Sequence, residues 1–163
     1  MHRLIILTAL AVPSFVAAQD DAMYEKHKLR WTEVDGKFYP VPAIPKKIDA
    51  MAQPQLVKVG GVGKVEIKIA KVREGKDDLV GHLIHPLTGK PNPLIRVKGQ
   101  STEGLIDGAR IRDAEIVVVG TTDVKLTDGS SQKIFLAVTV DKAKAGLTKE
   151  QFAELVKSGV KLD

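Results

Sequence analysis

From Val57 to Val140 the chain reads in short alternating runs, with turn residues between them and no stretch of helical period. That pattern limits the fold more than any other feature. Val62, Val65, Ile67, Ile69 and Val72 alternate closely with Lys64, Glu66, Lys68 and Lys71. Successive side chains on a strand point to opposite faces, so this spacing predicts a strand with one buried and one wet face. Glu74-Gly75-Lys76-Asp77-Asp78 interrupts it before a second run, Leu79–His85. The loop Pro86–Pro93, with Thr88-Gly89 inside it, leads to a third run, Leu94–Lys98. A connection rich in Gly, Ser and Asp over 99–108 precedes a fourth, Ala114–Thr121, and Asp128-Gly129 turns into a fifth, Lys133–Val140. Five short strands with recurring turn signals predict a mainly β fold, a small barrel or a sandwich.

Two further elements flank this region. Asp35-Gly36 sits between Trp31-Thr32-Glu33-Val34 and Lys37-Phe38-Tyr39. A type I′ turn needs positive φ at both central residues, which Asp-Gly tolerates, so a hairpin is expected. Pro40, Pro42, Pro45 and Pro54 then mark an extended linker, with a helical turn expected near Ile48–Met51. Near the C-terminus, Thr148 and Gln151 stand at the spacing of a capping box, with Leu147 and Phe152 placed to staple it. Gly159 falls where a helix would end, so a helix over 148–158 is predicted, burying Phe152, Leu155 and Val156.

The first residues have a separate meaning. Arg3 precedes an apolar run from Leu4 to Val12, and Val16-Ala17-Ala18 then gives way to Gln19, Asp20 and Asp21. A basic start, a short apolar stretch and small residues at −3 and −1 make a secretory signal, cleaved after Ala18. The run is too short for a membrane anchor. The expected mature protein is therefore exported, periplasmic or secreted, with no transmembrane anchor left after cleavage. Such proteins often rely on disulfides, but this chain has no cysteine, so packing alone must stabilise it. The missing thiols also exclude cysteine catalysis, iron–sulfur clusters and thiolate zinc sites.

Chemistry-bearing residues are sparse. His82 and His85 are the one close histidine pair; on a strand, residues three apart face opposite sides, which disfavours joint metal ligation. Gly60-Gly61-Val62-Gly63-Lys64 lacks the outer glycine and the Ser/Thr of a phosphate loop, and opens a strand instead of a helix. Ser130 and Ser131 follow Gly129 in a turn, without the elbow of a hydrolase nucleophile. The paired carboxylates Asp20-Asp21 and Asp77-Asp78 lie in polar stretches and are expected to be solvated. Nucleic acid is not an expected partner: the second and third strands carry no aromatic on which a base could stack. No catalytic residue, metal site or cofactor is assigned. Trp31, Phe38, Tyr39, His82 and His85 are the candidate contacts for a partner, with the connections 82–93 and 99–110 as rim loops.

Gly104-Leu105-Ile106-Asp107-Gly108, Val118-Val119-Gly120-Thr121, Asp128-Gly129 and the run Ile134–Val140 carry a family resemblance over residues 57–141. Their order resembles that of exported bacterial OB-fold-like barrels. The resemblance implies a five-stranded barrel with a helix between its third and fourth strands. Trp31-Thr32 and Gly36-Lys37-Phe38 are also similar to the opening of small SH3-like domains. The expectation is therefore a signal peptide at 1–18, an arm with a hairpin and Pro-rich linker at 19–54, and an OB-like barrel with a C-terminal capping helix at 55–163. The function expected of it is non-catalytic: a binding or structural module for a protein partner in an envelope or extracellular assembly. The alternative is a small exported hydrolase or metal-binding protein using His82 and His85.

Overall fold

The five alternating runs close on one another. A computed structural model describes residues 29–41, 44–51, 57–73, 77–126 and 129–160. A two-stranded hairpin, β1 (Arg30–Val34) and β2 (Lys37–Val41), precedes a closed barrel of β3 (Val62–Arg73), β4 (Asp78–Ile84), β5 (Pro91–Lys98), β6 (Arg110–Lys125) and β7 (Ser131–Thr139). Around the barrel the order is β3-β4-β5-β7-β6, with β6 returning to β3. Every pairing is antiparallel except β5 with β7. The fold is thus mainly β, a closed five-stranded barrel with an N-terminal hairpin and C-terminal helices, as the sequence predicts. The expected signal segment 1–18, the polar stretch 19–28 and Pro42 and Pro54 lie outside the described residues.

Alternation places the core. Leu79 pairs with Val97, and Ile95 pairs with both Gly81 and Phe135, so these positions share the inner face. Leu79, Val97, Ile95 and Phe135 are fully buried there, together with Ile67 and Ile116. On β6 and β7 the outward face is buried as well, with Leu136 and Val138 covered by the C-terminal segment.

That segment holds two helices, α1 (Val140–Ala145) and α2 (Lys149–Lys157). The β-prone run Lys133–Val140 hid α1, because Val140 is the last apolar residue of that run before Ala143 turns to the core. The capping box of α2 forms as expected: Gln151 N–H donates to Thr148 Oγ1 at 3.3 Å, and Thr148 N–H donates to Gln151 Oε1 at 3.0 Å. At the other end Gly159 N–H reaches Val156 O at 3.0 Å and Val160 N–H reaches Leu155 O at 3.4 Å, the Schellman pattern. Phe152 and Leu155 are buried and Val156 half-buried.

Gly159 has φ +129, and a Cβ there would lie 1.8 Å from the carbonyl oxygen of Thr121 on β6. Gly159→Ala therefore combines backbone strain with a main-chain collision. It is expected to lower stability by about 2–3 kcal/mol, measured as a fall in urea midpoint at unchanged m. Gly104→Ala, where open space surrounds the new methyl, serves as the control.

Two expectations are corrected. No helical turn forms near Ile48–Met51. Instead Met51 N–H donates to Lys64 O at 2.9 Å and Lys64 N–H donates to Asp49 O at 3.0 Å, so the segment lies extended along β3. The reason is an open edge: β4 pairs with β3 only from Glu66 onward, leaving Lys64 free to bind another chain segment. Nor does a helix join the third and fourth barrel strands; residues 99–109 form turns, and Asp107 Oδ1 accepts from Val72 N–H at 2.9 Å to tether them. The SH3-like likeness ends at the hairpin, which pairs only within itself as a sheet.

Candidate functional site

The aromatic candidates lie against the C-terminal helix. Asp35 and Gly36 take φ +49 and +73, the turn their sequence implies, and this brings Trp31 and Phe38 onto α2. The Phe38 ring stacks on Phe152 at 4.2 Å and 7°, and Trp31 meets the same ring at 5.1 Å and 58°. Phe38 N–H and C=O each bond to Leu147 at 2.9 Å, so ring stacking and main-chain pairing fasten the hairpin together. Tyr39 lies over Gly146, where a Cβ would come 2.7 Å from its ring, so only glycine permits this approach. All three side chains are half-buried. Trp31 and Phe38 thus pack against the main core through Phe152, and Tyr39 covers Gly146 at the end of α1.

The histidines do not act together. His82 is a half-buried residue of β4, opposite Lys68 on one side and Leu94 on the other. His85 lies past the strand end, and its Nδ1 accepts from the N–H groups of Leu87 at 3.2 Å and Thr88 at 3.4 Å. His85 thus shapes the turn that follows β4. Among the described residues, no three His, Asp or Glu side chains gather to hold a metal. The two rim loops lie at opposite ends of the barrel, since β4 and β5 run antiparallel. Each exposes one large apolar side chain, Leu87 at 86% and Ile106 at 71%.

A cleft of about 490 Å³ opens where β4 begins and β5 and β7 end, roofed by α1 and α2. Its size suits a small ligand, since such sites span roughly 300–1,000 Å³. Asp77 and Asp78 come from the start of β4, and Lys98 from the end of β5. Lys142 comes from α1, Gln151 and Glu154 from α2, and the buried Val138, Leu147 and Leu155 form an apolar floor.

The expected solvation of Asp77-Asp78 holds for Asp77 alone: Asp78 is buried, 4% exposed, because two arginines bond its carboxylate. Arg96 Nε donates to its Oδ1 at 2.9 Å and Oδ2 at 3.2 Å, and Arg96 Nη2 donates to Oδ2. Arg73 Nη1 adds a bond to Oδ2 at 3.3 Å. A planar guanidinium matches a carboxylate with two parallel bonds, so this pair clamps β4 to β5 beside the cleft. The hydrogen bond to Asp78 raises the proton affinity of Arg96 above its ordinary value, outweighing the opposing effect of burial. Both Asp78 oxygens are engaged, which makes it a support of the cleft wall.

Lys98 is freer. Its side chain is only 15% exposed, and its Nζ meets Glu154 Oε1 at 3.4 Å, on a side chain 64% exposed. A second, wider trough lies between the end of β3 and residues 101–107, bordered by Asp77.

No motif pointed to this cleft. Its residues come from separated strand ends and from α1 and α2, and only the closed fold brings them together. A scan against protein-family models and searches of curated proteins and of solved structures return no match for the chain.

Proposed function

We propose that the mature chain is an exported, non-catalytic binding module that takes its ligand in the cleft between the barrel and the C-terminal helices. The observation that carries this reading is the make-up of that cleft: an apolar floor, solvent-facing charges of both signs, and a buried carboxylate already held by Arg96 and Arg73. Such a site can orient a ligand, while both Asp78 oxygens are already bonded to arginines. The apolar rim residues Leu87 and Ile106 leave room for a protein partner in an envelope or extracellular assembly. The hydrolase or metal-binding alternative has less support, since His85 Nδ1 is engaged in its own turn. The resemblance to exported OB-like barrels agrees with the barrel's strand order and stays part of the proposal. No helix among the described residues is long and apolar enough to cross a membrane.

Two measurements test this. Full-length chain expressed in a bacterial host is expected to yield a mature protein beginning at Gln19 in the exported fraction, identified by intact mass. Retention of Met1–Ala18 in cytosolic protein would remove the exported reading. Nuclear magnetic resonance of ¹⁵N-labelled 19–163 with mixtures of small polar fragments is expected to shift the amides of Gly99, Gln151 and Leu155 together. Shifts confined to other surfaces would remove the cleft as the site.

A further inference from the structure

Resting on the cleft as a binding site, the geometry points to a ligand class: we infer that it takes a short peptide with free termini. The argument starts at Lys98. An ammonium group has three donors, and charge-assisted bonds to carboxylates usually run about 2.7–2.9 Å. Lys98 has Glu154 at 3.4 Å, long for such a pair. Glu154 is mostly in water whereas Lys98 is mostly enclosed. An incoming carboxylate can therefore displace Glu154 at small loss and bond Lys98 directly.

The remaining charges decide the other end of the ligand. Asp78 is neutralised by Arg96, and Arg73, half-exposed, does not line the cleft, so these three drop out of the balance. That leaves two cations, Lys98 and Lys142, and two acids, Asp77 and Glu154. A ligand with one charge satisfies one pair and leaves the other facing it unfavourably. A zwitterion satisfies both: its carboxylate on the lysines, its ammonium on the acids freed or already exposed. Gln151 can both donate to and accept from a peptide unit between them. A tripeptide extends about 10 Å, in keeping with a cleft of about 490 Å³.

Calorimetric titration of 19–163 with trialanine, N-acetyl-trialanine and trialanine amide tests this. Trialanine is expected to bind, with each end-blocked peptide weakened roughly tenfold or more. Lys98→Met is expected to weaken trialanine to a similar degree, whereas Lys68→Met, on the exposed outer face of β3, leaves it unchanged. Glu154→Gln removes the competitor for Lys98, so N-acetyl-trialanine is expected to tighten several-fold. This variant alters an exposed side chain and keeps the test valid if Lys98→Met folds poorly. Equal binding of the blocked peptides, or unchanged affinity in both variants, overturns the inference. If fragments map to the cleft but trialanine does not bind, the peptide class falls while the binding-module reading stands. If no fragment maps there, both fall.

Discussion

Phe152→Ala is expected to destabilise the mature protein by about 3–5 kcal/mol, a large share of the roughly 5–15 kcal/mol typical of a whole domain. The ring is where three segments meet. It stacks on Phe38, tilts against Trp31 and belongs to the core that contains Leu147. Removing it deletes a buried aromatic and leaves a cavity between the hairpin and α2, which cannot collapse while Phe38 stays hydrogen-bonded to Leu147. The chain's single tryptophan reports the event. The native fluorescence of the variant should shift to longer wavelength, because Trp31 loses the ring that covers it. Urea titration followed by circular dichroism gives the energetic cost. A loss below about 1 kcal/mol with unchanged emission would mean that the hairpin does not rest on α2.

The second large effect is electrostatic. Asp78→Ala leaves Arg96, whose side chain is 12% exposed, without its carboxylate. Its guanidinium cannot shed the charge to escape, because its proton affinity is high to begin with and raised further in the fold. An uncompensated charge of this kind costs about 3–5 kcal/mol. Arg73, more exposed, can turn to water and contributes less. The double variant Asp78→Ala/Arg96→Met should recover most of the loss, since an apolar side chain needs no partner there. A strongly favourable coupling in that double-mutant cycle is the expected result. Additive losses would show that the two side chains act separately and that the clamp between β4 and β5 is not a unit.

Much of the architecture was legible in the residues because it rests on local rules. The alternation of Val65, Ile67 and Ile69 with Lys64, Glu66 and Lys68 fixed the buried face of β3 up to its register shift after Ile69. Asp35-Gly36 fixed the hairpin turn, and Thr148, Gln151 and Gly159 fixed both ends of α2. The misses share a different cause. Ala50 bridges Lys64 because a neighbouring strand stops short, which no local pattern records. Helix α1 begins at Val140, the last residue of the β-prone run Lys133–Val140, so that run masked its first turn. The cleft was invisible for the same reason as the bridge: Asp77, Lys98, Lys142 and Glu154 lie far apart in the chain. The aromatic residues drew attention as possible contacts because sequence shows their type and not what covers them. Phe152 and Gly146 supply that cover only after the hairpin folds back.

The most direct test of the cleft as a ligand site is crystallographic. Crystals of residues 19–163 soaked with a mixture of small polar fragments should show one bound between α2 and the barrel end, in contact with Lys98 or Gln151. Fragments ordered only at other surfaces, with the cleft accessible in the lattice, would contradict the account.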